Sequence, residues 1–112
     1  MARGFLPLLI AVLAVPRVIA AQDAAAVEHG KQVYAAQKCM LCHSIAGKGN
    51  KKGALDDVGG KLSSETIRQW IATAKEMTAK TKATRQPPMK EYNLPAADVD
   101  ALVAYLSTLK AK

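Results

Sequence analysis

The chemistry of this chain is indicated by residues 39–43, which read C-x-x-C-H and contain its only two cysteines. This spacing is typical of covalent haem attachment. Two thiols three positions apart on a turn can reach the two vinyl groups along one edge of a porphyrin, and His43 then points its imidazole at the iron. A haem iron held by nitrogen on one face still requires a sixth ligand. The identity of that ligand separates electron carriers from oxygen or peroxide chemistry.

Three other interpretations of the motif are open. A thioredoxin-like redox couple needs a βαβ context, and no strand-like alternation flanks the motif. A structural zinc site needs four ligands, and His29, ten residues before Cys39, is the only further histidine. A plain disulfide between Cys39 and Cys42 would leave His43 unexplained. The motif therefore favours haem attachment.

The first residues resemble an export signal. Arg3 gives a positive start, residues 5–15 form an apolar stretch too short to span a bilayer as a helix, and Ala20 is the small residue that signal peptidase sites prefer. We expect a secretory signal peptide over residues 1–21 and a single periplasmic domain over residues 22–112. An uncleaved membrane anchor is the alternative, because prolines interrupt the apolar stretch and precede the site. After cleavage we expect no stable membrane insertion.

The segment left after cleavage is short and basic. About 91 residues remain, with 14 basic and 9 acidic side chains and with one tryptophan and three tyrosines as the only aromatic residues. A chain of this size buries only a modest fraction of its surface, so we expect the haem to complete the core and the haem-free chain to be largely unfolded. We expect no nucleic-acid binding, because the chain is predicted to be exported and arginine is scarce.

The spacing of apolar residues predicts an all-α domain. Three helices are expected, from Ala24 to Lys38, from Ser63 or Ser64 to Ala79, and from Ala96 to Leu109. Between them, five glycines and several lysines mark residues 44–60 as a loop, and residues 78–88 should be irregular. Gly30 is a poor helix former, and its presence makes sense if another helix crosses there closely. A tolerated weak position is the alternative.

With these features the chain resembles the class I c-type cytochromes, which are small all-helical monohaem electron carriers, over nearly all of residues 22–112. The matching features are the C-x-x-C-H motif, Gly30 and Tyr34 in the first helix, Leu102 and Tyr105 in the last helix, and Met89 after a double proline. The resemblance implies a cytochrome c-like fold, with three to four helices packed around one covalent haem c and with the first and last helices crossing.

The chain also departs from the pattern of that family. Members usually place a proline after the glycine of the loop beyond the motif, and the proline carbonyl fixes the proximal histidine. Here Gly53 is followed by Ala54, so the resemblance implies that the Ala54 carbonyl accepts from His43 Nδ1, with less backbone restriction. The interval from His43 to Met89 is short and resembles that of compact bacterial members, which implies a more exposed haem edge.

Two aromatic residues have open roles. Trp70 resembles the family's indole that donates to a haem propionate, and a buried core tryptophan is the alternative. Tyr92 is expected to donate to the Met89 sulfur or to a propionate, or else to be a surface tyrosine. His29 is expected to face solvent and to have no function.

Of the four methionines, Met89 is the best sixth ligand. Met1 lies in the predicted signal peptide, Met40 lies between the two cysteines and cannot reach the opposite face of the ring, and Met77 is expected in the core. Two prolines before Met89 restrict its backbone and can hold its thioether toward iron. Ligation by histidine and methionine favours a high reduction potential and leaves no open coordination position. We therefore expect a one-electron carrier and not an enzyme.

Basic residues surround the segments predicted to face the haem. They are Lys38, Lys48, Lys51, Lys52, Lys61, Lys80, Lys82, Arg85 and Lys90. Such a ring would steer a monomeric carrier onto redox proteins with acidic docking faces. The alternative is that these lysines are simply the solvated face of a soluble protein. Two other functions are open. One is a peroxidase-like protein or haem subunit with a labile sixth ligand, in which Arg85 would act on peroxide; the other is a sensor or a permanent subunit of a complex.

Overall fold

The structure is a computed structural model that describes residues 4, 7, 10, 11 and 18–112. The predicted signal peptide, residues 1–21, lies largely outside the described residues, and its cleavage stays a prediction. Helices dominate the described part of the chain, as the apolar spacing predicted. In that part, no helix is both long enough and apolar enough to cross a bilayer.

The first and last helices cross each other. Helix α1 spans Val18–Ala36 and helix α5 spans Ala96–Ser107. A Cβ atom built on Gly30 would overlap the Ala101 carbonyl oxygen and lie 2.6 Å from Tyr105 Cβ. Glycine is therefore required at this crossing, which confirms the interpretation of Gly30 as a site of close helix approach.

Two side-chain contacts reinforce the crossing. The rings of Tyr34 and Tyr105 meet edge to face, with centroids 6.1 Å apart and an interplanar angle of 81°. His29 is exposed, as predicted, but its Nε2 lies 2.8 Å from Asp98 Oδ1 at the start of α5. The expectation that His29 has no role is therefore incomplete, since it links α1 to α5.

The segment after α1 contains short elements that the loop prediction did not resolve. They are a 3₁₀ turn at Cys39–Leu41, strands β1 (Ser44–Ile45) and β2 (Lys48–Gly49), a second 3₁₀ turn at Lys51–Gly53 and helix α2 (Val58–Lys61). The two strands pair antiparallel, with Ser44 opposite Gly49 and Ile45 opposite Lys48. Gly47 and Gly49 have positive φ values of 78° and 109°, a conformation that glycine adopts without steric cost.

The single helix predicted from Ser63 or Ser64 to Ala79 is instead two helices. Helix α3 spans Ser64–Ala72 and helix α4 spans Ala74–Thr81. Ser63 caps α3, since its Oγ accepts from the Thr66 amide at 3.1 Å. The break falls at Thr73, where φ is −134° and ψ is 48°.

The hydrophobic core lies where α1, α3 and α5 meet. Its buried members are Val33, Tyr34, Ile67, Ile71, Val99, Leu102, Val103 and Leu106. After α4, residues 82–95 are irregular and carry the chain to α5. α5 begins after Pro95, which provides no side-chain cap, in agreement with the weak cap expected from the sequence.

Candidate haem site

A cavity of about 640 Å³ lies between the C-x-x-C-H motif, α3, α5 and the irregular segment 82–95, and its lining is mainly apolar. This volume is within the range of about 300–1,000 Å³ that is usual for ligand and cofactor pockets. The predicted site residues that line it are Cys39, Cys42, His43, Trp70 and Met89. Ala54 is not among the lining residues. Five of the six predicted site residues therefore surround one cavity.

The motif forms a tight turn directly after α1. Lys38 has a left-handed conformation, with φ 56°, and redirects the chain as residues at helix ends commonly do. The amides of Cys42 and His43 both donate to the Cys39 carbonyl oxygen, at 3.1 and 2.9 Å. Side chains three positions apart on a 3₁₀ turn lie one above the other. The turn therefore presents both cysteines to the same cavity.

The orientation of His43 is fixed by a backbone carbonyl. His43 Nδ1 donates to the Gly53 carbonyl oxygen at 2.9 Å. A carbonyl oxygen only accepts, so this contact holds the proton on Nδ1 and leaves the Nε2 lone pair free. A histidine that binds a metal through Nε2 uses this tautomer.

The prediction that Ala54 supplies this carbonyl is wrong by one residue. Gly53 ends the second 3₁₀ turn, and its carbonyl is the one that reaches the imidazole. Ala54 is extended and forms a parallel bridge with Ser44, while the Leu55 amide donates to the Ser44 carbonyl oxygen at 2.8 Å. The bridge to Ser44 in β1 therefore holds Ala54 beside the motif, and the carbonyl that reaches the imidazole is that of the preceding residue, Gly53.

Burial is the main influence on the charge of His43, and it lowers the pKa of the imidazole. The hydrogen bond to Gly53 raises this pKa, and the guanidinium of Arg85 lowers it. Only a neutral imidazole offers a lone pair to a metal. The lowered pKa therefore favours the form of His43 that binds a metal.

Asn50, which was not predicted as a site residue, ties the loop to the motif. Its backbone amide donates to the carbonyl oxygens of Met40 and His43, at 3.0 and 2.9 Å, and its side-chain amide donates to the Leu41 carbonyl oxygen at 3.2 Å. A Cβ atom on the preceding Gly49 would overlap the His43 carbonyl oxygen and lie 2.9 Å from that of Met40. The Gly-Asn pair soon after the motif is the sequence feature from which this role of Asn50 could have been predicted.

Tyr34 carries an unpartnered polar atom at the cavity. The residue is 8 % exposed, it lines the cavity, and its buried hydroxyl has no hydrogen-bond partner among the described residues. A buried hydroxyl without a partner costs about 1–3 kcal/mol. The hydroxyl thus indicates that the folded protein holds something further in this cavity.

An iron porphyrin fits the residues present. The cavity accepts a large apolar ring, the two thiols stand at its wall for the vinyl groups, and the neutral imidazole offers Nε2 to the iron. The haem would also bring polar propionate groups, which an apolar ligand of the same size would lack.

The methionines differ in their surroundings. Met89 is half-buried and lines the cavity. Met77 is 5 % exposed, in agreement with its interpretation as a core residue, and Met40 is 44 % exposed. Met1 lies outside the described residues. Met89 is therefore the only one of the three described methionines on the cavity wall.

Trp70 and Tyr92 both line the cavity. Trp70 is half-buried, which agrees with core packing and with donation to a propionate, so both interpretations stay open. The Tyr92 amide donates to the Ile71 carbonyl oxygen at 3.1 Å, and Lys90 Nζ lies 4.9 Å from the Tyr92 ring centroid. Tyr92 is therefore not a plain surface residue.

The geometry does not support the other interpretations of the motif. Cys39 and Cys42 are not joined in a disulfide, and within residues 18–112 the motif follows a helix and precedes two-residue strands, without a βαβ unit. His29 is bound to Asp98 instead of joining the cysteines. No group of three His, Cys, Asp or Glu side chains in the described part of the chain could hold a metal ion.

Positive charge collects where the cavity opens. Lys38, Arg85 and Lys90 line the cavity. A second cavity of about 680 Å³ lies on the outer side of Cys42, where it is lined by Lys52 and Arg85 among others. The neighbouring Leu41 is 69 % exposed. An exposed apolar side chain therefore lies beside two cations.

The comparisons with known proteins agree with this geometry. The family model described as cytochrome c matches residues 27–110, from the middle of α1 to beyond α5. No curated protein and no solved structure matches the chain. The family match confirms the cytochrome c-like all-α fold and the covalently bound haem c. The chain therefore belongs to the cytochrome c family, and it carries haem c in an electron-transfer role.

Proposed function

We propose that this protein is a one-electron carrier outside the cytoplasm, with His43 and Met89 as the two axial ligands of the haem iron. When bound, the haem supplies a one-electron change between ferric and ferrous iron. The observation that carries the proposal is that His43, with Nδ1 bonded to Gly53, and Met89 line the same cavity. The protein's own residues hold the porphyrin and exclude water, and no bond in a substrate is broken.

This pair of ligands favours electron transfer over catalysis, since it raises the reduction potential and occupies both axial positions. The alternative is a haem subunit, sensor or peroxidase-like protein with a labile sixth ligand. In a peroxidase-like protein, Arg85 would be the residue that acts on peroxide. Its Nη1 lies against Gly53 on the Nδ1 side of His43, and this position gives no support to that role.

The test of the ligands compares Met89→Ala with Met77→Ala in the haem-loaded protein. The far-red absorption band that arises from sulfur bound to ferric iron should vanish in Met89→Ala. Met77→Ala is the matched control, since Met77 does not line the cavity, and its band should persist. The opposite pattern would overturn the assignment.

Carbon monoxide distinguishes a carrier from a haem enzyme. It binds ferrous iron only where an axial position is open or labile, so the wild-type protein should not bind it and Met89→Ala should. Ready binding of carbon monoxide by the wild-type protein would favour the alternative function.

We further propose that the basic residues around the site dock on acidic redox proteins through small, transient interfaces. Lys52 and Arg85 line the second cavity beside Cys42, and attraction between opposite charges accelerates encounter. Electron exchange with an acidic redox protein should slow as ionic strength rises. Lys52→Glu should slow it at low salt, whereas Lys110→Glu, the same change at a residue that lines neither cavity, should have a smaller effect. A rate independent of salt would contradict this proposal.

Export and oligomeric state belong to the same proposal. Cleavage after Ala20 or Ala21 would release residues 22–112 into the periplasm as a monomer. Intact-mass measurement of the exported protein tests this, because a retained Met1 or Phe5 would show that the segment is kept, as in a membrane anchor. Sedimentation of the haem-loaded protein reports the oligomeric state, and co-purification with a partner at high salt would favour a permanent subunit.

A further inference from the structure

Arg85 precedes Met89 by four residues on the irregular segment 82–95, yet its guanidinium lies beside His43. A Cβ atom built on Gly53 would overlap both Arg85 Nη1 and the Cys42 carbonyl oxygen, and it would lie 2.9 Å from His43 Nδ1. Arg85 Nη1 and the Nδ1 edge of the imidazole thus flank the same glycine. The absence of a side chain at Gly53 is what allows the guanidinium to come this close.

No carboxylate of the described residues forms an ion pair with Arg85. The ion pairs among the described residues join His29 to Asp98, Lys31 to Glu28 and Arg68 to Asp100. The residues outside the described part of the chain contain no Asp or Glu. Arg85 lines both the haem cavity and the second cavity beside Cys42. A full positive charge therefore lies at the wall of the haem cavity.

We propose that Arg85 is a positioning residue that acts on His43 by its charge and thereby raises the reduction potential of the haem. This inference rests on the proposed ligation by His43 and Met89. A positive charge near the imidazole opposes the build-up of positive charge at the iron, so it favours the ferrous form. It also disfavours negative charge on the imidazole, which weakens electron donation from Nε2 to iron.

The same contact connects the two ligand segments. Met89 and Arg85 belong to one irregular stretch of chain, and Gly53 and His43 belong to the loop bonded to the motif. Displacement of the 82–95 segment would therefore move the charge at His43 together with the Met89 thioether. The potential and the Met89 ligation should change together whenever this segment moves.

The test measures the midpoint potential of the haem-loaded protein in wild type, Arg85→Gln and Arg85→Lys. Arg85→Gln should shift the redox equilibrium at least threefold toward the ferric form, which is a fall of about 28 mV at about 59 mV per tenfold change. Arg85→Lys keeps the charge, so its midpoint potential should fall by no more than half as much as that of Arg85→Gln. Lys80→Gln is the control, because it removes one exposed charge of α4 that lines neither cavity.

A second readout separates this effect from loss of packing. The proton NMR shift of His43 Nδ1–H in the ferrous protein should move in Arg85→Gln and not in Lys80→Gln. If Arg85→Gln and Lys80→Gln change the potential equally, or if Arg85→Gln lowers only the melting temperature, the proposal is overturned. The far-red sulfur band of the wild-type protein is recorded in parallel. If that band is missing, the proposed ligation fails; if it is present and the potential does not respond to Arg85, the role of Arg85 fails.

Discussion

Replacement of Gly30 by alanine tests the helix crossing on which the fold depends. The new Cβ would overlap the Ala101 carbonyl oxygen, which is a backbone atom that no rotamer change can move, and it would lie 2.6 Å from Tyr105 Cβ. Relief of the Tyr105 contact alone, to an ordinary 3.4 Å, requires α1 and α5 to separate by about 0.8 Å, and relief of the closer contact with the Ala101 carbonyl oxygen requires more. Extra methyl groups in a tight core cost about 1–3 kcal/mol, while alanine gains about 1 kcal/mol of helix propensity.

We expect the cost to exceed the gain, because the obstructing atom is backbone and the separation also loosens Leu102 and Val103 in the core. The net loss should reach up to about 2 kcal/mol, or up to about 10 °C in melting temperature for a domain of this size. Thermal unfolding of the haem-loaded Gly30→Ala protein, followed by circular dichroism, measures it. Ala35→Gly, at an exposed position of the same helix, measures the stability difference that helix propensity alone causes between alanine and glycine. A Gly30→Ala protein as stable as wild type would refute the argument.

Three further changes have defined outcomes. Met77→Ala should lower stability by about 2–5 kcal/mol in urea unfolding, as is usual for a buried methionine, since Met77 is 5 % exposed; a loss below 1 kcal/mol would contradict its core role. Burial raises the pKa of Tyr34 from 10.0 to about 12, so the neutral phenol contributes its full stability below pH 10 and loses it as pH rises toward 12. Between these pH values, the free energy of unfolding should therefore fall less steeply in Tyr34→Phe than in the wild-type protein. An equal slope in the two proteins, measured by unfolding at a series of pH values, would count against the assignment. A Cys39→Ala, Cys42→Ala protein without haem should show little helix by far-ultraviolet circular dichroism, and a cooperative thermal transition there would show that the chain folds unaided.

The helices were predicted best where regular apolar spacing coincides with one steric requirement, the close approach of two helices. The last helix and the crossing at Gly30 follow from apolar residues on one stripe and from a glycine in an otherwise good helix. The break at Thr73 carries no glycine or proline signal. It depends on the Thr73 hydroxyl, which donates to the Gln69 carbonyl oxygen at 2.9 Å, and on Glu91 Oε1, which accepts from the Lys75 amide at 3.2 Å at the start of α4.

The site was predictable in its chemistry and less so in its supports. Thiols, imidazole and thioether are visible as residue types, and their spacing predicted the motif. Every residue type has a backbone carbonyl, so residue types do not reveal which one accepts from His43. Only the path of the backbone decides between Gly53 and Ala54. The approach of Arg85 to Gly53 joins distant parts of the chain, and no spacing in the sequence encodes it.

The crossing of α1 and α5 also determines when the protein can fold. These helices stand near the two ends of the domain, so their contact closes nearly the whole chain into one loop, with an entropic cost that must be met before the core is gained. Contacts between such distant segments also slow folding. Until α5 is available, α1 lacks its main partner and the motif that follows it has no packed core beside it. Cys39 and Cys42 are accordingly accessible during that interval, which gives the haem a period in which to be attached before the helices close over it.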